Sequence, residues 1–345
     1  MAPRKRIYPI FLAHAGCPFR CVYCNQRAMT ANAASREPGV IPQVRRQLNG
    51  LQQDAQRHGR PGELAFYGGT FTALPPSVLR QILETVAPLV ERGIFSGLRF
   101  STRPDGISEE LCSWLRRYPI TTIELGVQSL VDAVLQQSRR GYSCAAVELA
   151  VGLIRRYEWR LGLQLMVGLP GDSARRFAET VAGTLTLQPD FVRIYPTLVM
   201  TGTELADWYR AGSYVPLALA DAVSWCAAAY EAFFRAQIPI ARLGLHADPE
   251  LAKPGTVIAG PHHPAFGYLV RVEWWKMRVD RHLEDHQDEL AGKAMTLLVA
   301  EPSVSEVIGP NRANVRHWLG KWHLTAVAVK GRADLLPGEL ESIPD

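Results

Sequence analysis

Cys17, Cys21 and Cys24 are the residues of this chain whose type and spacing most directly imply chemistry. They are three of its six cysteines and form a C-x3-C-x2-C run within Gly16-Cys17-Pro18-Phe19-Arg20-Cys21-Val22-Tyr23-Cys24-Asn25-Gln26. Three clustered thiolates can hold a cubane 4Fe-4S cluster by three of its four irons. The fourth iron keeps an open position, the feature that separates a catalytic metal centre from a closed structural one. A disulfide framework fits poorly: the chain is long, shows no signal-type start and does not spread its cysteines evenly. A structural zinc would want a fourth nearby Cys or His, and His14 is the only close candidate. Cys112, Cys144 and Cys226 are scattered through helical stretches, where free Cys behaves as a small apolar residue, with Cys226 also held as a candidate substrate-facing thiol.

The elements that must position this loop follow from hydrophobic periodicity. An apolar run at Arg6–His14 predicts a strand that delivers the cysteines at its C-terminal end. Residues 30–40 are small, polar and loop-like. Further strands are expected at Glu63–Tyr67, Gly97–Ser101, Thr121–Leu125, Leu161–Val167 and Phe191–Tyr195. Helices are expected at Gln43–Arg57, Pro76–Arg92, from the Ser108 cap to Arg117, near 131–137 and 143–157, and at Ser173–Leu187. The rhythm of strand, glycine-bearing loop and helix, repeated about six times, argues for parallel strands with right-handed crossovers. The chemically suggestive residues fall just past the strand ends, where such folds place their sites.

Beyond these repeats the sequence predicts a helix through Arg210, a long helix near Leu217–Gln237 and a strand near Ile240–Leu245. From Pro254 the character changes. A helix at Ala265–His282 precedes strand, helix and strand segments at Met295–Ala300, Asn311–Trp322 and Leu324–Val329, a small α/β appendage. The division expected is therefore residues 1–245 and 246–345.

The apolar fraction of 47% suits a folded chain with a real core, and no apolar run approaches bilayer length. The basic start, Met1 to Arg6, is not followed by a signal-type apolar stretch, so a cytoplasmic address and no membrane partner are expected. A net charge of +5 permits an anionic partner.

The cysteine run, with Tyr23 just before its last cysteine, resembles the cluster loop of the radical S-adenosylmethionine (radical SAM) enzymes. That resemblance implies a partial (β/α)6 barrel. It further implies that SAM chelates the open iron and is reductively cleaved to a 5′-deoxyadenosyl radical, with electrons from a flavodoxin- or ferredoxin-type donor. In the family the aromatic lies against the adenine of SAM, the position of Tyr23 here. Gly68-Gly69-Thr70 resembles the glycine stretch that receives the SAM amino group, one βα unit after the cysteines. Thr102 and Arg103 end the third strand. The series from Gln128 to Arg140 resembles the pattern that contacts the SAM ribose and carboxylate in two subfamilies, the oxygen-independent coproporphyrinogen III oxidases and the elongator-complex catalytic subunit. A guanidinium suits a carboxylate through its bidentate fork. Met166 to Pro170 resembles the fifth-strand motif that cradles adenine. Where the coproporphyrinogen oxidases carry an acidic residue on that strand, this chain reads Gln164 and Met166. Glu124, interior to a strand, reads as a buried, paired structural acid. No residue is assigned to the hydrogen-transfer step itself.

Phe66-Tyr67-Gly68-Gly69-Thr70-Phe71, Arg103-Pro104-Asp105, Arg139-Arg140-Gly141 and the stretch from Arg193 through Leu205 to Tyr209 lean toward the elongator-subunit type. That subunit also carries an acetyltransferase domain, for which no room is expected after residue 260, and its cysteine spacing is longer. The resemblance thus implies a shorter bacterial relative acting on an RNA base (tRNA or rRNA). Two other functions are weighed: a tetrapyrrole or small-molecule reaction like that of the coproporphyrinogen oxidases, and a cluster-bearing partner protein without turnover. The interleaved Arg271-Val272-Glu273-Trp274-Trp275-Lys276-Met277-Arg278 could stack bases and hold phosphates, or pack a helix on the barrel; packing is preferred. His262 and His263 read as a surface loop near the barrel mouth, with proton transfer as the functional alternative.

Overall fold

The computed structural model describes residues 6–18, 20–25, 39–59, 61–245, 249, 251–284 and 292–344. Phe19 and Gln26 of the cysteine run, most of the basic start and most of the small-residue stretch at 30–40 lie outside the described residues.

Seven parallel strands make the principal sheet. They are β1 (Ile7–Leu12), β2 (Glu63–Gly68), β3 (Gly97–Thr102), β4 (Ile120–Gln128), β5 (Arg160–Val167), β6 (Phe191–Pro196) and β8 (Ile240–Leu243). Their spatial order is their chain order. Helices α1 (Val40–His58), α2 (Pro76–Glu91), α3 (Glu109–Leu115), α4 (Asp132–Gln137), α5 (Cys144–Arg156), α6 (Ala174–Leu187), α7 (Glu204–Arg210) and α8 (Leu219–Arg235) alternate with them. This is the curled, partly open α/β barrel that the repeated rhythm predicts, with the strand expected at Ile240–Leu245 joining it beside β6.

Each strand has two lives. On β1, Tyr8, Ile10 and Leu12 are buried in the core, while Ile7, Pro9 and Phe11 line the lumen. That alternation is the two-residue period of a strand, so a single register decides which side chains meet the helices and which meet a ligand. Ser108 caps α3 by accepting from the Leu111 N–H at 3.2 Å, with Glu109 and Glu110 in the first turn as the dipole favours.

The C-terminal region adds a two-stranded antiparallel pair, β7 (Val199–Met200) with β9 (Val257–Ala259), followed by α9 (Phe266–Glu284). A three-stranded sheet then places β10 (Ala294–Ala300) between β11 (Ala326–Arg332), parallel to it, and β12 (Leu340–Pro344), antiparallel. Short helices α10 (Val304–Ile308) and α11 (Ala313–Lys321) connect them. The sequence reading misses β7, β9 and β12, which are short and carry little alternation. One hydrophobic core runs from Ile10, Phe100 and Ile194 through Phe233 to Trp275, Met295 and Trp318.

The Trp pair of α9 belongs to that core. Trp274 and Trp275 are 3% and 1% exposed, and the Trp274 indole donates to Glu231 of α8 at 2.6 Å. Arg278 and Arg281 of α9 pair with the same carboxylate, and Arg271 pairs with Glu306. The base-stacking surface considered for this stretch is therefore occupied by packing. Cys226 is likewise fully buried in α8, and burial pushes its thiol well up, so it faces no substrate.

Candidate active site

The cysteine loop leaves β1 through a tight turn that needs glycine at Gly16 and at the facing Gly69. Gly16 sits at φ +72, and a Cβ there would meet the Thr70 carbonyl at 2.3 Å. Gly69 is tighter still, since an added Cβ would lie 1.8 Å from the Ala15 carbonyl oxygen. In return the Gly69 and Thr70 N–H groups donate to Leu12 and Ala15 carbonyls, both at 2.9 Å. The Gly-Gly pair thus first serves to seat the start of the cysteine loop against β2. With those N–H groups engaged, the carbonyl oxygens of the turn are the groups suited to an ammonium, which needs acceptors.

Gly69→Ala is expected to lower stability by about 1–3 kcal/mol, as overpacking against fixed backbone does, and to reduce iron uptake with it. Gly50→Ala in α1, where nothing stands within 4 Å, should be neutral or stabilising. Paired thermal melts and iron analyses check both.

The rest of the loop is pinned from the other side. Val22 accepts from the Leu205 N–H at 2.9 Å, and the Asn25 amide donates to the Thr201 carbonyl at 2.7 Å. Cys21, Val22 and Tyr23 pack with Val134, Leu169, Val199, Leu205, Ala206 and Tyr214 in a second hydrophobic cluster. Elements beyond the sixth strand therefore hold the cysteine loop in place.

A cavity of about 660 Å³ opens at the C-terminal end of the barrel and runs down its lumen. Its wall contains Cys17, Cys21, Cys24, Tyr23, Gly68, Gly69, Thr70, Thr102, Gln128, Arg140 and Met166, every site residue that the sequence nominates. The three thiols share this wall without converging, with other His, Cys, Asp or Glu, on one point that a single metal ion would fill, among the described residues. Three cysteine thiolates are the number of protein ligands that a cluster with one open iron takes, one fewer than a structural zinc.

Arg140 supplies the charge that such a thiolate set needs. It is buried and donates through Nη1 to Cys21 Sγ at 2.9 Å and to the Tyr23 hydroxyl at 3.2 Å. Its Nη2 donates to the Gly126 carbonyl at 2.7 Å and its Nε to the Tyr142 hydroxyl at 3.0 Å. In this structure the guanidinium is thus turned to the cysteine loop and the end of β4. Burial raises the Tyr23 hydroxyl well above the usual phenol range, outweighing the opposing pull of Arg140, so it stays protonated.

Gln128 ends β4 at φ +68, in the left-handed region, where the pairing of β4 with β5 shifts register. Such a bulge re-aims a side chain, and a non-glycine residue held there marks local strain. Thr102 is engaged with Thr72, Oγ1 to Oγ1 at 2.6 Å, on the cavity rim.

Sequence reasoning reads Glu124 as a buried, paired structural acid, as it is here, and passes over its partners on the lumen floor. Glu124 is fully buried and accepts from Arg99 at 2.9 Å, Arg193 at 2.7 Å, Tyr67 at 2.8 Å and Gln164 at 3.2 Å. Burial alone would raise its carboxyl, but Arg193 and Arg99 prevail and hold it below the ordinary range. Glu63 pairs with Arg99 and accepts from Thr121 at 2.7 Å and Thr122 at 2.6 Å. Tyr67, Gln164, Arg193, Tyr195 and Arg242 rise from this floor into the cavity wall. The signal available in the sequence was a set of charged residues inside otherwise apolar strands, Arg99, Glu124 and Arg193, each at a lumen-facing position.

The radical SAM superfamily profile matches residues 13–182, and the Radical_SAM C-terminal domain profile matches residues 189–276. The chain is similar to a tRNA uridine(34) acetyltransferase of Dehalococcoides mccartyi, 29% identical over 230 residues, covering 58% of this chain and 50% of that one. It is also similar to the Elongator complex protein 3 of Danio rerio, 28% identical over 185 residues, covering 47% of this chain and 34% of that one. The chain thus spans half or less of the length of these two relatives. Among solved structures, the archaeal Methanocaldococcus infernus Elp3 aligns with a TM-score of 0.56 at 22% identity, over 81% of this chain and 62% of that one. Among the described residues no helix is long and apolar enough to cross a membrane.

Proposed function

The chain belongs to the radical SAM superfamily, and from that premise we propose an enzyme that modifies a base of RNA. In this proposal Cys17, Cys21 and Cys24 hold a 4Fe-4S cluster, and Tyr23, Gly68, Gly69, Thr70, Thr102, Gln128, Arg140 and Met166 seat SAM beside it. The pair would supply, on reduction by a flavodoxin- or ferredoxin-type donor, a 5′-deoxyadenosyl radical able to take a hydrogen atom. Residues 1–245 form the cofactor-bearing barrel and 246–345 its extension, at a cytoplasmic address.

The observation that carries the reading is the gathering of these eleven residues, from the C-terminal ends of four strands, the segments that follow them and the cysteine loop, on one cavity. The chain's own contributions follow from its geometry. Arg140 offsets thiolate charge at Cys21 Sγ and braces Tyr23. The Tyr67 hydroxyl keeps its proton directed at Glu124, so the floor beneath the cavity is paired within itself. Ile7, Pro9, Phe11, Leu198, Met200 and Leu251 add apolar surface to a wall that also carries His14, Arg20, Arg103, Arg193 and Arg242.

RNA as the substrate is supported by the relatives named for tRNA uridine and by the net charge of +5. Bulk tRNA added to anaerobically reconstituted, dithionite-reduced protein with SAM should raise 5′-deoxyadenosine formation severalfold. Stimulation by porphyrinogens and not by tRNA or rRNA would overturn the RNA assignment.

A further inference from the structure

Strand β5 leaves the sheet at a glycine whose two backbone groups are both held by side chains. The Gly168 N–H donates to Asp172 Oδ2 at 3.0 Å, and the Gly168 carbonyl accepts from the buried Tyr214 hydroxyl at 2.6 Å. Asp172 Oδ1 also accepts from the Ser173 N–H at 2.9 Å, just before α6. Between these points Leu169-Pro170-Gly171-Asp172 closes on itself, the Asp172 N–H donating to the Leu169 carbonyl at 2.9 Å with Gly171 at φ +76. Proline at the second position and a positive-φ glycine at the third are the pattern of a type II turn. We propose that Asp172 and Tyr214 are positioning residues for SAM, fixing the point where β5 ends and through it the placement of Met166 and of the cysteine loop around the cofactor. This inference rests on the radical SAM reading and adds to it two residues that are not on the cavity wall.

The turn joins two halves of the site. Met166, on the cavity wall, lies two residues before Gly168. Leu169 and Tyr214 pack with Cys21, Val22 and Tyr23 in the second hydrophobic cluster, and Met166 packs against it. The pairing of β5 with β6 ends at Val167, whose carbonyl accepts from the Thr197 N–H at 2.9 Å. Gly168 follows at φ +78, a conformation that glycine adopts without cost. From there the course of the chain is set by Asp172, at the start of α6, and by Tyr214, in the link between α7 and α8. A shift of either moves Leu169 against the cysteine loop and Met166 against the cofactor together.

Asp172 grips best as a carboxylate, because both of its bonds are made to N–H donors and an ionised carboxylate only accepts. Burial pushes its carboxyl up to about 6, against the lowering pull of the Gly168 and Ser173 N–H groups and of Arg176. Arg176, on α6, also donates to the Gly171 carbonyl. Tyr214 faces Asp172 from the other side, and burial together with that carboxylate holds its phenol above the ordinary range, so it stays a donor to Gly168. Protonating Asp172 puts a hydrogen on an oxygen that is needed as an acceptor. The grip therefore weakens as pH falls through about 6.

The test uses the full chain, reconstituted anaerobically and left unreduced, with SAM binding followed by equilibrium dialysis from about pH 5 to about pH 8. Asp172→Asn keeps an acceptor for one N–H, turns an amide donor toward the other and has no proton to gain. Tyr214→Phe removes the hydroxyl and keeps the ring beside Leu169. At neutral pH each should weaken SAM binding about three- to tenfold, the worth of one hydrogen bond, with iron content and melting temperature close to wild type. Wild-type affinity should fall as pH drops through about 6. Asp172→Asn should show no such fall, so the two profiles converge in acid. Any contribution of His14, on the cavity wall, is common to both proteins and cancels in their difference. Equal affinity in the three proteins, or an acid loss that Asp172→Asn retains in full, would overturn the proposal. A wild-type protein with its irons in place that binds no SAM would overturn the cofactor reading, and this inference with it.

Discussion

Cys21→Ala is expected to yield a folded protein that no longer assembles a 4Fe-4S cluster. Cys21 lies in the small hydrophobic cluster with Val22, Leu169 and Leu205, and a methyl group there keeps most of that packing. What it removes is one of three thiolates, leaving two for a cluster that needs three protein ligands. Arg140 loses its sulfur partner but keeps Gly126, Tyr23 and Tyr142, so the buried cation is not stranded. Anaerobic reconstitution followed by iron and sulfide analysis should give a four-iron stoichiometry in the wild type and at least a tenfold loss in the variant. The melting temperature should move little. Equal iron content in the two proteins would remove Cys21 from the ligand set.

Glu124→Ala should have the largest effect on stability. The carboxylate joins Arg99, Arg193, Tyr67 and Gln164 at the base of the lumen, and removing it leaves two guanidinium groups facing each other without it. Breaking a buried pair in this way costs about 3–5 kcal/mol, a large share of the stability of most domains. Urea unfolding at neutral pH would measure it. The pH dependence is a second check. Burial alone would raise both carboxyls, but Arg193 and Arg99 hold Glu124, and Thr122 and Arg99 hold Glu63, below the ordinary carboxylate range. A depressed folded value means that their stabilisation is complete above the unfolded value and is lost as pH falls through the folded one. Wild-type stability should therefore decline as pH drops below about 4.5, and Glu124→Gln, which has no proton to gain there, should decline less steeply. A variant as stable as wild type would mean that the floor is not held by this network.

Much of this was legible because parallel strands place their C-terminal loops on one rim. Once the rhythm of strand and helix is recognised, Gly68, Thr102, Gln128 and Met166 must converge on the end where β1 delivers the cysteines, whatever the helices do. The Trp pair of α9 was legible as packing for a different reason: two large indoles on one helix have much apolar area to bury. On the lumen floor Glu124 was legible as a buried, paired acid, but its partners were not. Arg99, Glu124 and Arg193 are far apart in sequence, and only the register across β3, β4 and β6 brings their heads together. The donors of Arg140 were equally hidden. A guanidinium two residues before Tyr142 can reach a ligand or a neighbouring sulfur, and the choice depends on the fold of the cysteine loop.

The measurement that bears most directly on the assignment is reductive cleavage of SAM. Anaerobically reconstituted protein would be reduced with dithionite in the presence of SAM and assayed for 5′-deoxyadenosine, with Cys21→Ala alongside. Formation of 5′-deoxyadenosine by the wild type and its loss in the variant is the expected result. An intact, reduced 4Fe-4S cluster that leaves SAM uncleaved, with and without tRNA, would contradict the assignment and leave a cluster-bearing protein that acts without turnover.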